Sequence, residues 1–138
     1  MNIRRADSVE SRVIPPRTIG SLFSGIGGLD LGVEHATGGR CVWQVEKEEF
    51  GRAVLAKHWP DVARYDDVCT VGGVPMRHVL PRVDAIIGGS PCQDLSLAGK
   101  RAGFDGAKSS LWREYLRIVS QLRPRFMLLE NVPGLHSS

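Results

Sequence analysis

The chain has 138 residues, which is enough for one hydrophobic core and predicts one domain at most. Hydrophobic residues make up 42% of it and charged residues 24%, which is the balance of an ordinary globular protein. The net charge of +3 is only a weak indication of an anionic partner, because the 18 lysines and arginines are scattered along the chain.

Three cysteines, none of them in a C-x-x-C pair, argue against a disulfide framework or a structural zinc site and favour a reducing compartment. We therefore expect no metal site. No apolar run is long enough to cross a bilayer, and the amino terminus lacks the hydrophobic core of a signal peptide. A cytoplasmic protein without a membrane partner is expected.

Residues 1–17 are rich in charge, end near two adjacent prolines and show no hydrophobic period. This pattern predicts a flexible amino-terminal arm, and a solvated arm is favoured over one whose arginines contact phosphate. We expect the folded domain to occupy residues 18–138.

A strand, a glycine-rich turn and a helix open this domain. Residues 18–23 suit a strand, residues 24–28 contain three glycines, and Leu29 and Val33 then follow helical spacing. In an α/β sheet such a turn directs backbone N–H groups at a ligand, although a plain structural turn explains it equally well. Asp30 stands where the dinucleotide-binding fingerprint has its third glycine, so that fingerprint is absent.

A second strand at residues 41–45 ends in Glu46, about twenty residues after the glycine turn. An acidic side chain at that distance accepts hydrogen bonds from a ribose diol in nucleotide-binding sheets. The other interpretation is a charge at the start of the next helix, since Glu48 and Glu49 follow it. The ribose role is the preferred one.

The second helix is expected to bury one apolar stripe, made of Phe50, Ala53 and Val54. A short third strand then covers residues 63–68 and carries the adjacent carboxylates of Asp66 and Asp67. Residues 70–82 contain two glycines and two prolines, and we expect them to form a loop or a short, broken helix.

A fourth strand at residues 84–87 is expected to break at two glycines and to present Pro91-Cys92-Gln93 at its carboxyl end. Ligands bind at that end of an open parallel sheet. Proline fixes the backbone beside Cys92, and the glycines let a substrate approach closely. We interpret Cys92 as a nucleophile. The alternative is a small buried hydrophobic residue, as free cysteines often are.

Residues 94–110 form a polar segment that is long for a loop inside a compact domain, which favours a functional lid or binding loop. Its glycines, lysines and arginine suit closure over a phosphate backbone. An amphipathic helix is predicted over residues 111–122. Residues 126–129 are predicted to form a fully buried fifth strand that ends in Glu130.

Alternating strands and helices, with nearly continuous apolar strands, predict a doubly wound, mostly parallel Rossmann-like α/β sheet of about five strands. The carboxyl ends of parallel strands share one edge of a sheet. The polar residues at the strand ends are therefore expected on one rim: the glycine turn, Glu46, Asp67, Cys92 and Glu130.

A thiol and a carboxyl group on one rim suit addition to an electron-poor ring. The pKa of a free cysteine is about 8.5, so only a few per cent is thiolate near neutral pH, yet it still adds readily to electron-poor carbon. Burial at the strand end is expected to raise the pKa of Glu130 and to leave it able to donate a proton. Acyl transfer would need a histidine base, and His136 alone keeps a cysteine hydrolase open as an alternative.

Three segments resemble motifs of the C5-cytosine DNA methyltransferases, in the order and spacing of that family. They are residues 23–30 (Phe-Ser-Gly-Ile-Gly-Gly-Leu-Asp), residues 89–101 (Gly-Ser-Pro-Cys-Gln-Asp-Leu-Ser-Leu-Ala-Gly-Lys-Arg) and residues 130–132 (Glu-Asn-Val). The resemblance covers roughly residues 18–135. It implies the sheet of the S-adenosylmethionine-dependent methyltransferases, with S-adenosyl-L-methionine as cofactor and double-stranded DNA as partner.

The resemblance also implies roles for single residues. Cys92 would attack C6 of a cytosine flipped out of the duplex while Glu130 protonates N3, and C5 would then take the methyl group. Pro91 and Asn131 would hold the two halves of the pocket in register. The implied cofactor-binding residues are Phe23, Ser24, Gly25, Ile26, Gly27, Gly28, Leu29, Glu46, Lys47, Asp67 and Val68. The implied DNA-binding residues are Gln93, Ser96, Lys100 and Arg101.

Within the cofactor site, the resemblance implies that Glu46 binds the ribose hydroxyls and that Asp67 accepts a hydrogen bond from the adenine amino group. Val68 would lie beside the adenine ring. Lys47 stands where the family usually has an apolar or aromatic residue against the adenine, and Asp66 leaves the identity of the adenine partner open.

Family members continue beyond Glu-Asn-Val with a Gln-x-Arg-x-Arg segment, a target-recognition domain and a carboxyl-terminal segment that completes the cofactor pocket. None of these occurs in residues 18–138, so we expect a partial catalytic domain that is inactive alone and leaves the edge of its fifth strand open. One interpretation is a methyltransferase fragment of prokaryotic or phage origin, either the product of a truncated gene or one part of a split enzyme that a complementing polypeptide completes. The other is a non-catalytic remnant that binds cofactor or protein.

Overall fold

The computed structural model of the protein describes residues 13–89 and 109–130. In that part of the chain the strands are β1 (Thr18–Leu22), β2 (Arg40–Val45), β3 (Ala63–Tyr65), β4 (Val71–Gly72), β5 (His78–Val79), β6 (Ala85–Gly89) and β7 (Phe126–Glu130). The helices are α1 (Gly28–Thr37), α2 (Glu49–His58) and α3 (Ser109–Leu122), and a 3₁₀ turn covers Val68–Thr70. No helix within the described ranges has the length and apolar character needed to cross a membrane.

Five strands form one parallel sheet in the order β3-β2-β1-β6-β7. The chain first builds outward from β1 to β3 and then crosses back to β6, on the other side of β1. The strand order therefore reverses between β1 and β6, and open α/β sheets bind ligands at such a topological switch point. The predicted doubly wound, parallel sheet is confirmed.

Hydrophobic clusters cover both faces of this sheet, which explains why its strands are almost continuously apolar. On one face, α1 packs through Leu29 and Val33 on a cluster that includes Ile87. On the other face, Tyr115 of α3 packs in a cluster that includes Ile86. Successive strand residues point to opposite faces, so these two isoleucines bury β6 on both sides.

Strand β6 runs through both of its glycines, where the sequence predicted a break. Gly88 pairs with Leu22 of β1 and with Leu129 of β7, and it is buried. A Cβ on Gly88 would meet the carbonyl of Leu22 and would lie 3.2 Å from the ring of Tyr115. The glycine therefore lets α3 and β1 approach the strand closely and does not end it.

The segment between β3 and β6 also differs from the prediction. Strand β3 ends at Tyr65, and the chain then passes through the 3₁₀ turn, so the strand predicted over residues 63–68 is too long. The range 70–82, predicted as a loop or broken helix, contains the two-stranded sheet of β4 and β5. Its strands have two residues each, too few for an alternating pattern to be recognised in the sequence.

Helix α2 buries Gly51 and Leu55, whereas Phe50 is 76% exposed and Ala53 is exposed. The predicted apolar stripe of this helix is therefore wrong. The physical reason is the close packing of Gly51 on the loop after β1, where an added Cβ would lie 2.8 Å from the carbonyl oxygen of Gly25. The face of α2 that carries Gly51 therefore points to the glycine turn, and this orientation leaves the neighbouring Phe50 exposed to solvent.

Strand β7 lies at the edge of the sheet and pairs with β6 alone within the described residues. Met127 is 50% exposed and Leu128 is 46% exposed, so the prediction of a fully buried strand is wrong. These neighbours point to opposite faces of the sheet, which means that both faces of β7 are partly uncovered. The expectation of an open apolar edge at this strand agrees with the structure.

Candidate functional site

The turn that follows β1 reverses the chain through residues with positive φ. Phe23, Gly25 and Gly27 have φ values of 54°, 57° and 88°. A left-handed backbone is unfavourable for a residue with a side chain, and strained positions like that of Phe23 cluster at functional sites. A Cβ on Gly27 would also lie 2.5 Å from the ring of Trp59, so helix α1 can begin here only with glycine.

Glu46 links this turn to the one that follows β2. Its carboxylate accepts hydrogen bonds from the backbone N–H of Gly25 at 2.6 Å and from that of Glu48 at 2.8 Å. On the other side of the turn, the guanidinium of Arg52 donates to the carbonyl of Glu46 at 3.0 Å and to that of Lys47. Glu46 is only 9% exposed, so two neighbouring strand ends are held together by one nearly buried carboxylate.

A buried polar network supports the turn after β1 from below. The hydroxyl of Ser24 donates to that of Ser21 at 2.8 Å, and Ser21 donates to a carboxylate oxygen of Asp30 at 2.9 Å. The amide of Gln44 donates to the other oxygen of Asp30 at 3.0 Å. Asp30 is fully buried, and this burial raises the pKa of its carboxyl group although the donors around it favour the charged form.

Sequence reasoning missed this network because it treated Asp30 as a departure from the glycine fingerprint and as part of the family motif, and assigned it no contacts. The available signal was the position of Asp30 directly after Leu29, whose side chain packs against the core. A carboxylate so close to an apolar stripe in the first turn of a helix calls for buried donors. Serine and glutamine on the two neighbouring strands supply them.

The end of β3 lies at the same rim, because the backbone N–H of Glu46 donates to the carbonyl of Tyr65 at 3.0 Å. Two residues later, Asp67 is exposed and begins the 3₁₀ turn, and its carboxylate accepts a hydrogen bond from the backbone N–H of Cys69 at 2.8 Å. The side chain of Val68 is 6% exposed and packs in the core. Val68 therefore anchors the turn and leaves Asp67 at the surface.

The tips of β6 and β7 bring the predicted proton donor next to the strand that precedes the predicted nucleophile. Gly89 pairs with Glu130, and a Cβ on Gly89 would lie 3.5 Å from a carboxylate oxygen of Glu130. Glu130 itself is exposed. The burial expected at this strand end is therefore not provided by the residues that the structure describes.

The remaining predicted site residues divide into two groups. Ile26, Gly28 and Lys47 are exposed on the turns after β1 and β2. Seven others lie outside the described residues: Pro91, Cys92, Gln93, Ser96, Lys100, Arg101 and Asn131. Within residues 13–89 and 109–130, no group of three or more histidine, cysteine, aspartate or glutamate side chains could hold a metal ion.

The predicted site residues at these strand ends share one edge of the sheet. The turn after β1 and Glu46 after β2 are in direct contact, the end of β3 is hydrogen-bonded to Glu46, and Glu130 at the end of β7 pairs with the end of β6. All of them lie at the carboxyl edge of a doubly wound parallel sheet, which is the ligand-binding edge of this architecture.

Comparison with known proteins assigns the family. The model of the C-5 cytosine-specific DNA methylases matches residues 17–138, and the chain belongs to that family. Type II methyltransferase M.HgiCII from Herpetosiphon aurantiacus is 38% identical over 115 residues, which are 83% of this chain and 25% of that protein. Type II methyltransferase M.AquIA from a Picosynechococcus species is 38% identical over 120 residues, which are 83% of this chain and 48% of that protein. The chain thus spans a quarter to a half of the length of these relatives.

Solved structures agree with this assignment. A prophage-encoded E. coli protein described as a DNA modification methyltransferase superposes with a TM-score of 0.67 and 30% identity, over 87% of this chain and 33% of that one. A triple mutant of DNMT2 from Spodoptera frugiperda superposes with a TM-score of 0.61 and 23% identity, over 88% of this chain and 37% of that one. The second likeness concerns the fold alone.

Proposed function

We propose that the protein is the catalytic portion of an enzyme that transfers a methyl group from S-adenosyl-L-methionine to C5 of cytosine in double-stranded DNA. Membership of the C-5 cytosine-specific DNA methylases supports the reaction class. The observation that carries the proposal is the pairing of Gly89 with Glu130. Gly89 belongs to the strand that leads to Cys92, and three residues of extended chain reach at most about 10 Å, which limits how far Cys92 can lie from the strand end that carries Glu130.

The turn after β1 has the properties that S-adenosyl-L-methionine requires. A Cβ built on Gly25 or on Gly28 would meet no atom within 4 Å, so a ligand has open space to approach this backbone. Each carboxylate oxygen of Glu46 accepts one backbone N–H and keeps a lone pair for a ribose hydroxyl. Asp67 is exposed at the end proposed for the adenine. When bound, the cofactor would supply an electrophilic methyl group.

Cys92 and Glu130 would act on a cytosine ring from two sides. The thiolate of Cys92 forms a bond to C6, the electrons of the 5,6 double bond shift through the ring, and Glu130 donates a proton to N3. C5 thereby becomes nucleophilic enough to accept the methyl group. Water then takes the proton from C5 as the Cys92 thiolate leaves C6, and N3 returns its proton to Glu130, which restores the aromatic ring.

A base inside a duplex can reach Cys92 only after flipping, which costs a few kcal/mol of unpairing and unstacking. We assign the contacts that offset this cost, to the base and to the phosphate backbone, to the segment after the catalytic cysteine. The residues concerned are Gln93, Ser96, Lys100 and Arg101. Pro91 and Asn131 are proposed to hold the two halves of the pocket in register.

A complementing polypeptide is the proposed source of DNA target recognition. The support is that the relatives extend far beyond the matched part, which is 25% of M.HgiCII and 48% of M.AquIA. Strand β7 also offers a half-exposed apolar surface at Met127 and Leu128, which further chain could cover. The same exposed strand suits the alternative of a non-catalytic remnant that binds another protein, and that alternative predicts no turnover with any partner.

Covalent trapping tests the nucleophile. The chain, mixed with a polypeptide carrying the remainder of a family member and with S-adenosyl-L-methionine, should form an adduct with a duplex that contains 5-fluorocytosine, because after methyl transfer fluorine cannot leave C5 as the proton does. The adduct is measured by its altered mobility on a denaturing gel. Cys92→Ala should abolish it, and Cys69→Ala, a change at an exposed cysteine, should not. An adduct that survives Cys92→Ala would remove Cys92 from the mechanism.

Calorimetry tests the cofactor site independently of DNA. Glu46→Ala should weaken binding of S-adenosyl-L-methionine, because it removes both the tether of the glycine turn and the acceptor for the ribose. Glu49→Ala changes an exposed carboxylate in the first turn of α2 and serves as the matched control. Equal affinities for wild type and Glu46→Ala would remove Glu46 from the ribose.

A further inference from the structure

Arg117 of α3 reaches from the helix to the segment that follows β3. One nitrogen of its guanidinium, Nη2, donates to the carbonyl of Val68 at 3.0 Å and to that of Val71 at 3.0 Å. Nη1 donates to the side-chain oxygen of Gln121 at 2.9 Å, and Nε donates to the carboxylate of Glu114 at 2.7 Å. A planar, permanently charged fork of this kind fixes several acceptors in one geometry.

Gln121 holds the other end of the same segment. Its side-chain oxygen accepts a hydrogen bond from the backbone N–H of Gly73 at 3.0 Å, in addition to the bond from Arg117. The packing is close, because a Cβ on Gly72 would lie 2.6 Å from Nη1 of Arg117. Two side chains of helix α3 therefore hold both ends of residues 68–73 by hydrogen bonds.

Residues 68–73 begin directly after Asp67, and two of them, Cys69 and Thr70, orient Asp67 by hydrogen bonds. The backbone N–H of Cys69 donates to the carboxylate of Asp67, and the backbone N–H and hydroxyl of Thr70 donate to its carbonyl at 3.1 Å and 2.9 Å. A shift of the Val68 carbonyl would move these donors together. The position of the exposed Asp67 carboxylate thus depends on Arg117, although the two side chains do not touch within the described hydrogen bonds.

We infer that Arg117 is a positioning residue for the adenine end of the cofactor site: it fixes the Asp67–Val68 turn and so sets the discrimination between a 6-aminopurine and a 6-oxopurine. This inference rests on the proposed function. Asp67 can accept a hydrogen bond from an amino group, whereas an oxygen at the same place would face the carboxylate as a second acceptor. The discrimination therefore requires the carboxylate to be held at one place.

The test compares two ligands, S-adenosyl-L-homocysteine and its 6-oxo analogue S-inosyl-L-homocysteine, by titration calorimetry on the full chain. Wild type should bind the adenosyl compound about tenfold or more tightly, the size of one hydrogen bond to a charged group. Arg117→Met should reduce this ratio to about threefold or less. Arg113→Met changes an exposed arginine one turn earlier on α3 and should keep the wild-type ratio.

The affinity ratio separates positioning from a merely structural role. Loss of folded protein would weaken both ligands by the same factor, so an unchanged ratio in Arg117→Met would overturn the inference. Gln121→Leu removes the acceptor for Gly73 and for Arg117 but leaves the bonds from Arg117 to the Val68 and Val71 carbonyls, so it should lower the affinity ratio by a smaller factor. If Arg117→Met does not fold, an unchanged ratio in Gln121→Leu would overturn the inference. Wild-type chain that binds neither ligand would instead overturn the proposed cofactor site, and this inference with it.

Amide hydrogen exchange supplies a readout without ligand. In Arg117→Met, the amides of Cys69 and Thr70 should exchange faster, since they are hydrogen-bonded within the turn that follows Asp67. The amides of Ile19 and Ser21 in the central strand β1 should keep their wild-type rates. Unchanged exchange at Cys69 and Thr70 would contradict the claim that Arg117 fixes this turn.

Discussion

Replacement of Glu46 by glutamine tests whether its carboxylate holds two strand ends together before any ligand binds. The carboxylate accepts one backbone N–H from Gly25 and one from Glu48. Glutamine has the same shape but offers a single acceptor oxygen, and its NH₂ group would face one of the two backbone donors. Glu46→Gln should therefore leave one backbone N–H unpaired at a nearly buried position.

The expected cost follows from the loss of one charge-assisted hydrogen bond and from poor access of water. A hydrogen bond to a charged group contributes roughly 1.5–3 kcal/mol, and an unpaired buried donor costs about 1–3 kcal/mol. Because Glu46 is 9% exposed, water can replace the lost acceptor only in part. We expect Glu46→Gln to lower the free energy of unfolding by about 2 kcal/mol at neutral pH.

Urea denaturation followed by circular dichroism measures this difference without cofactor. Glu49→Gln is the matched control, because Glu49 is an exposed carboxylate in the first turn of α2 and should contribute only about 0.3–1 kcal/mol through the helix dipole. Equal losses in the two variants would refute the tether, as would a loss below about 0.5 kcal/mol for Glu46→Gln.

Three further predictions concern stability. Gly20→Ala should lower the free energy of unfolding by about 3 kcal/mol, because the added Cβ would overlap the ring of the fully buried Trp43. Gly32→Ala, in open space on α1, should raise the free energy of unfolding by about 0.5–1 kcal/mol. Equal effects of the two variants in urea denaturation would contradict this packing. Burial raises the pKa of Asp30, so the folded chain holds that proton to higher pH than the unfolded chain; stability should fall as pH rises from 3.8 through the raised value, and Asp30→Asn should remove this decline in a pH series of urea curves. The backbone N–H groups of residues 17 and 18 lower the pKa of Asp84, so its contribution should be present above pH 3.8 and lost as pH falls below it; Asp84→Asn should flatten that acid limb, and an unaltered limb would rule the contribution out.

The order of the five sheet strands and the three helices, and with it the parallel sheet, could be predicted because β2, β6 and β7 are largely apolar and because glycine or proline marks the turns after β1, α1, α2 and α3. Ile86 and Ile87 illustrate the point, since adjacent apolar residues that face opposite clusters are characteristic of a strand covered on both sides. Glu46 was predicted to bind a ribose from its distance to the glycine turn, and that role stays a prediction. Its hydrogen bond to Gly25 was not foreseen, because that bond depends on how closely two loops approach.

The wrong predictions share a cause, which is that tertiary packing decided the outcome. Phe50 was expected inside because it is apolar. The close approach of Gly51 to the glycine turn instead directs the Gly51 side of α2 inward and leaves Phe50 exposed. Leu128 was expected inside for the same reason, but exposure at the edge of a sheet depends on which neighbours are present. The burial of Asp30 was not predicted, because only the fold brings Ser21 and Gln44 to its carboxylate.

The central position of β1 has a consequence for the synthesis of the chain. Ile19 pairs with Cys41 on one side and with Ala85 on the other, so the second pairing must wait for a strand encoded far downstream. At roughly 5–20 residues per second, a ribosome takes about 1–4 s to add the 20 residues from Asp66 to Ala85. If β1, β2 and β3 have paired by then, β1 has no partner on its other side during that interval. An unpaired strand edge of this kind can pair with another chain, so the arrival of β6 removes a site at which two nascent chains could associate.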